Sequence, residues 1–287
     1  MVTKHELFKE KVECAVVVPA YGEPKFLKST LESIVRSQGL EVRLLVIDDG
    51  STSEFIENIV SDFSPRVHFF KNKENLGISE NFNLALEVAN AKFVMLVGPD
   101  DLLKTCITEV VRDSQRINLE FVALLSIVET INLEGRTAFS LSGFFKNLLS
   151  PKREGVVPNG WLRFSLLIGN WTFNPAIIWN TSVLNSAPYN KDYRYCMDWD
   201  LLLKLVREGL NFYFSEISVF QYRRHSDSVS MKNLKERFEE EKSILSSNYE
   251  SARKYNFVAF VTAHLAIMPR LNYYLRSLQN FLKTTKE

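Results

Sequence analysis

Apolar residues recur along the first hundred positions with two alternating periods. Residues 12–18 (VECAVVV) form a β-branched run that ends at Pro19, which predicts a buried strand. Residues 25–37 carry Phe26, Leu27, Leu31, Ile34 and Val35 at helical spacing and stop near Gly39. Residues 42–47 (VRLLVI) repeat the strand pattern, followed by the polar turn Asp48-Asp49-Gly50-Ser51. Helix over 55–63, strand over 67–70, helix over 79–89 and strand over 92–97 continue the alternation. Strand–helix repetition of this kind predicts a mainly parallel sheet covered by helices on both faces. Ligands of such sheets bind beyond the carboxyl ends of the strands. Three of those ends carry distinctive loops, at 19–22, 48–51 and 98–101.

Beyond residue 102 the pattern is less regular. Residues 121–128 and 212–222 read as strands, 197–208 as a helix, and 132–159 as a loop or mobile excursion. From residue 231 the chain turns helical, over 234–247 and again over 257–282, where Pro269 should kink or divide the second segment.

Charge and cysteine content narrow the classes. Lys and Arg number 35 against 34 Asp and Glu, so a general nucleic-acid binder, which needs a basic excess, is disfavoured. Cys14, Cys106 and Cys196 are odd in number and far apart, which fits neither a disulfide framework nor a metal-binding CxxC pair. Residues 1–11 lack the apolar core of a signal peptide, and no apolar run is long enough to span a bilayer. The expectation is a cytoplasmic protein, with any membrane role confined to the inner face. Residues 251–287 hold six Lys and Arg against Glu287 alone. A basic amphipathic helix can lie on an anionic bilayer. The same apolar stripe can instead pack on the parent domain or a second subunit, giving a homodimer.

Three acidic groups are candidates for chemistry. Asp48-Asp49 follows the second strand, and a solvated turn is the plain alternative. Asp100-Asp101 follows the fourth strand and suits a hard cation such as Mg²⁺ or Mn²⁺ shared with phosphates, although either residue can equally cap the next helix. Asp198 in Asp198-Trp199-Asp200-Leu201 can serve as a general base or as an acidic helix start. Arg223, Arg224 and His225 suit phosphate or metal, or a basic surface loop. Asn170 and Trp171, within 169–175 (GNWTFNP), suit a sugar ring, with a packed turn as the alternative.

The order of these segments resembles that of the family 2 glycosyltransferases of the GT-A fold, of the bacterial surface-polysaccharide type. The matching residues are 16–21 (VVVPAY), 46–52 (VIDDGST), 75–79 (NLGIS), 93–101 (FVMLVGPDD), 198–201 (DWDL) and 222–230 (YRRHSDSVS). The resemblance implies an α/β catalytic domain over 1–230, with a donor part over 12–111 and an acceptor part over 112–230. Residues 231–287 would be a C-terminal helical extension. It implies a nucleotide-diphosphate sugar donor (UDP, dTDP or GDP) and a saccharide or lipid-linked glycan acceptor. Pro19, Ala20, Tyr21, Asp48, Asp49 and Asp100 would contact the nucleotide. Asp101, Asp100 and His225 would hold Mg²⁺ or Mn²⁺, and Arg223 and Arg224 the diphosphate. Asp198 would be the base of a single inverting displacement. The sequence departs from the pattern twice. Gly98 stands where an Asp is common, and Phe82-Asn83 where Arg-Asn is common. A degenerate sugar-binding or scaffold subunit and a nucleotidyltransferase are the alternatives. A dinucleotide oxidoreductase is disfavoured, because no GxGxxG follows the first strand.

Overall fold

The computed structural model describes residues 8–138, 141–184, 189–224, 233–248, 270 and 273–274. The first half alternates as expected: β1 (Val12–Ala20), α1 (Leu27–Ser37), β2 (Arg43–Asp48), α2 (Phe55–Ser61), β3 (Val67–Lys71), α3 (Ile78–Val88) and β4 (Ala91–Leu96). The two-residue β5 (Leu102–Leu103), α4 (Ile107–Gln115) and the long β6 (Ala123–Ile131) follow. Next come α5 (Leu141–Leu149), the short β7 (Gly155–Val156), α6 (Asn159–Ile168), β8 (Ile177–Asn180) and the single turn α7 (Thr181–Leu184). The described chain ends with α8 (Met197–Arg207), β9 (Phe212–Arg223) and α9 (Leu234–Ser247). The segment 132–159, expected as a loop, therefore holds α5 and β7. Its Leu-Phe-rich run 141–149 was masked by the Gly, Ser and Pro around it. The expected helix over 257–282 lies outside the described residues, apart from 270 and 273–274.

The strand order is β3-β2-β1-β4-β8-β6-β9-β5, with β7 also pairing to β9. Strands β3, β2, β1 and β4 are parallel to their neighbours, as the alternation requires. Beyond β4 the sheet is mixed. β8 runs antiparallel between β4 and β6, while β6 and β9 pair in parallel across a register shift near Ser126.

Period-two alternation along the strands explains the layering. Ala15 and Val17 of β1 face one core with Leu84, Ala85 and Val88 of α3, Leu162 and Leu166 of α6, and Trp199 and Leu202 of α8. Cys14, Val16 and Val18 face the opposite core with Leu27, Leu31 and Ile34 of α1, Ile56 and Val60 of α2, and Val110 and Val111 of α4. Helix α9 joins the first core through Ile244 and Leu245. Among the described residues no helix is long and apolar enough to cross a membrane.

The turn after β2 depends on one glycine. Gly50 has φ +74°, and an added Cβ would stand 2.4 Å from the carbonyl carbon of Glu74. Left-handed backbone and backbone-to-backbone contact together leave no room for a side chain. Gly50→Ala should lower stability by about 1–3 kcal/mol. Urea unfolding would show it as a lower midpoint at unchanged slope.

Candidate active site

The carboxyl ends of β1, β2 and β4 lie side by side, because Ala20 pairs with Asp48 and Val17 with Leu96. Pro19 and Ala20 are buried in β1, and Tyr21 emerges just after it, 59% exposed. Its loop is pinned to the next one, as Gly22 N–H donates to Ser51 Oγ at 2.7 Å and Asp49 N–H to the Ala20 carbonyl at 2.8 Å.

The two aspartates after β2 do different work. Asp49 accepts from Asn72 Nδ2 and Leu76 N–H on Oδ1, both at 2.9 Å, and from Gly77 N–H on Oδ2 at 3.0 Å. Its carboxylate thus holds the turn that starts α3. Asp48 accepts the Ser51 N–H at 3.0 Å and the Ser51 hydroxyl on Oδ1. Its Oδ2 is buried with no hydrogen bond and faces only the Lys71 ammonium at 3.5 Å. Asp48 is therefore the member of the pair with acceptor capacity to spare.

Beyond β4, Gly98 explains the placement of Asp100 and Asp101. A Cβ on Gly98 would stand 2.8 Å from Asp100 Oδ1 and 2.8 Å from Asp101 Oδ2. The two carboxylates converge on the space that the missing side chain leaves. Asp101 is 2% exposed and accepts the Arg223 N–H on its other oxygen at 2.9 Å. Burial, and then the charge of Asp100, push its carboxyl well above the usual range, while Arg223 pulls it back. Two hard oxygens aimed at one point, at a like-charge cost that a cation would remove, fit Mg²⁺ or Mn²⁺. Among the described residues no group of three His, Cys, Asp or Glu could complete a metal site. His225 lies outside the described residues.

Arg223 is not placed to meet a diphosphate. It is 5% exposed, and its guanidinium donates to the carbonyls of Asp100 and Leu133, both at 2.8 Å, and of Asn132 at 3.3 Å. It also lies over the Phe26 ring at 4.7 Å. A buried guanidinium satisfied by carbonyls is a clamp on the Asp100 loop. Its neighbour Arg224 is half-buried, with its N–H on the Ile131 carbonyl.

Asp198 sits in the first turn of α8, 8% exposed. Its Oδ1 accepts Trp199 N–H at 2.8 Å and the Asn170 amide at a long 3.5 Å. Burial raises its pKa above the ordinary carboxylate value. The charges of Lys146 and Arg237 and these two hydrogen bonds oppose the shift. Asn170 thus lies against Asp198, and its carbonyl oxygen is held by Thr172 N–H and hydroxyl at 3.0 and 2.7 Å. Trp171 is buried, and its indole N–H donates to Ser165 Oγ at 3.0 Å. The packed turn, not a sugar platform, is what this tryptophan makes. A run of contacts links the two acidic ends. Lys146 lies over Phe173 at 3.7 Å, Phe173 packs on Tyr222 at 5.2 Å, and Tyr222 precedes the Arg223 that holds Asp101.

Lys146 escaped the sequence reading because it lies on α5, inside the presumed loop. Asn83, at the departure from the usual Arg-Asn pair, grips the backbone of Tyr189. It accepts the N–H at 2.7 Å and donates to the carbonyl at 3.0 Å. Phe82 packs edge-on against the Tyr189 ring. Helix α3 therefore fastens the segment leading to α8.

A parallel half-sheet with an acidic pair at its topological edge, extended by an antiparallel strand, defines the GT-A class of nucleotide-sugar transferase folds. Solved structures share it. S. aureus TarS 1–349 in complex with UDP-GlcNAc superposes with a TM-score of 0.63 at 18% identity, over 89% of this chain and 73% of that one. The mannosyltransferase PcManGT from Pyrobaculum calidifontis, in complex with GDP-Man and Mn²⁺, gives 0.61 at 13% identity over 93% and 74%. Residues 15–155 match the family described as glycosyl transferase family 2, and the chain belongs to that family. Chondroitin synthase of Escherichia coli is 24% identical over 239 residues, covering 79% of this chain but 32% of that protein. An uncharacterised glycosyltransferase of Methanocaldococcus jannaschii is 22% identical over 75% of this chain and 71% of its own length.

Two stability outcomes follow from the site. Arg223→Ala should cost about 1–3 kcal/mol in urea unfolding by removing the donor shared by three carbonyls. Arg223→Lys should not restore it, since one ammonium cannot replace the planar fork. For Asp198 the folded pKa is raised, so the native state holds its proton longer than the unfolded chain. Ionising it costs stability as pH rises above the ordinary value of about 4. Asp198→Asn should raise the melting temperature at pH 7, and the gain should vanish as pH falls to about 4.

Proposed function

We propose that this chain is an inverting glycosyltransferase that moves a sugar from a nucleotide-diphosphate donor to an acceptor hydroxyl, assisted by Mg²⁺ or Mn²⁺. The observation that carries the reading is the convergence of Asp100 Oδ1 and Asp101 Oδ2 above Gly98. Family membership and the nucleotide-sugar complexes of proteins with this fold support it.

In this reading the nucleoside lies over the ends of β1 and β2. Exposed Tyr21 offers an aromatic face, and Oδ2 of Asp48, which faces Lys71 but accepts no hydrogen bond from the described residues, accepts from base or ribose. Asp49 acts at one remove, by holding the 75–77 turn. Asp100 and Asp101 hold the metal, with Asp101 anchored by Arg223 N–H. When bound, the metal neutralises charge on the leaving diphosphate. Arg223 keeps the acidic loop in place, and contact with the diphosphate is left to Arg224 and His225. Asp198 takes the proton from the acceptor hydroxyl as that oxygen attacks the anomeric carbon from the face opposite the diphosphate. Asn170 orients the carboxylate. Trp161, 36% exposed and packed on Trp171, is a better candidate than Trp171 for an acceptor ring. The acceptor is a growing glycan, by analogy with the polysaccharide-building relative.

A panel of UDP-, dTDP- and GDP-sugars should produce a donor that raises the melting temperature more with Mn²⁺ than without. Asp198→Asn should keep that shift while nucleotide release on transfer collapses by at least about a hundredfold. The acid limb of kcat in the wild type should lie above the ordinary carboxylate range, because burial raises Asp198. No stabilisation by any nucleotide sugar, or full transfer by Asp198→Asn, would remove the reading.

A further inference from the structure

Helices α8, which carries Asp198, and α9 both lie beyond residues 15–155 that match the family, and α9 grips the start of α8. Glu240 accepts three consecutive backbone N–H groups, from Arg194 on Oε1 at 2.8 Å and from Tyr195 and Cys196 on Oε2 at 2.8 and 3.0 Å. Successive amides pointing at one anion form a nest, here at the positive end of α8. Cys196 is the N-cap of α8 and makes no side-chain capping bond, so Glu240 of α9 adds an anion to this helix start beside Asp198 and Asp200 of its own first turn. Asp198 follows two residues later.

The grip is reinforced on both sides. Tyr195 hydroxyl donates to Glu236 at 3.2 Å and accepts from the Asn233 amide at 3.1 Å. Ser79, at the start of α3, donates to the Tyr193 carbonyl at 2.6 Å. One turn before Glu240, Arg237 pairs with the buried Glu241 at 3.0 Å, and its charge also bears on Asp198. The segment 193–196 is thus clamped between a helix of the donor half and α9.

We infer that Glu240 is a positioning residue for Asp198, and that α9 is a working part of the active site. The inference rests on the assignment of Asp198 as base. Its side chain touches no reacting atom. It fixes the register of the α8 start, and with it the direction in which the Asp198 carboxylate points.

The test uses the full chain. Glu240→Ala removes all three bonds. Glu240→Gln keeps one acceptor oxygen and turns an amide N–H₂ toward a donor, so it should fall between Ala and wild type. Glu239→Gln, on the same helix and paired only with Lys242, is the control. The Asp198 carboxyl carbon is followed by ¹³C NMR against pH, its signal assigned by absence from Asp198→Asn. In Glu240→Ala the Asp198 titration should move down toward the ordinary carboxylate value, as the helix start loosens and burial of the carboxyl eases. With the nucleotide sugar that stabilises the wild type best, kcat should fall about tenfold to a hundredfold while donor KM stays within about twofold. The donor-induced thermal shift should persist, and Glu239→Gln should change nothing. An unmoved Asp198 titration with unchanged kcat would overturn the proposal. So would a loss of kcat matched by a rise in donor KM. Should Glu240→Ala not fold, Glu240→Gln decides by the same readings. Full transfer by Asp198→Asn would instead sink the assignment of the base, and the NMR arm reads Glu240 without any substrate.

Discussion

Taking an ionised carboxylate out of water costs several kcal/mol unless N–H groups or cations replace the lost hydration. The upper edge of this sheet is organised around that constraint. Asp48, Asp49, Asp101, Asp198 and Glu240 each draw in backbone N–H groups from a different stretch of chain. Those of Asp49 and Asp101 tie a loop to a strand end, and those of Glu240 tie α9 to the start of α8. The 75–77 turn is shaped by Asp49, the end of β9 by Asp101, and the start of α8 by Glu240. Remove the carboxylates, and the loops lose the anchors that give the cleft its outline.

How fully each carboxylate is satisfied separates scaffold from chemistry. Asp49 has three donors across its two oxygens, all of them from this chain's own turn and from Asn72. Asp101 has one N–H and a like-charged neighbour, and Asp198 one short and one long bond in a buried setting. Both are held above their ordinary pKa by burial. Groups kept under-satisfied at a stability cost are where a protein keeps reactivity, since a cation or a proton supplies what the fold withholds.

Much of this architecture was legible in the chain. The β-branched runs at 12–18, 42–47 and 92–97 are buried on both faces, so their pattern is strong and their boundaries shift by only a residue or two. The acidic ends were legible as candidates, because carboxylates directly after buried strands need a reason to be there. Their division of labour was not. Asp49 differs from Asp48 through Asn72 and a turn whose N–H groups lie 27 and 28 residues later, and sequence does not show which N–H groups will arrive. Arg223 reads as an anion binder in a basic loop, and becomes a clamp only because Phe26 and three carbonyls enclose it. Glu240 sits among Glu and Lys on what reads as a solvated helix face, and nothing in its spacing marks the amides it meets. Long-range backbone partners leave no periodicity to detect.

Gly98, a departure from the common pattern, shows the same limit. In the sequence it reads as one possible ribose or metal contact fewer. In the fold its absent side chain is the space into which Asp100 and Asp101 both point. Any Cβ at 98 would stand 2.8 Å from an oxygen of each and would force the pair apart. An aspartate there would add a third negative charge to a pocket where Asp101 already resists ionisation. With two carboxylates the pocket keeps lower charge than three would give it. The glycine is then part of the acidic pair's geometry.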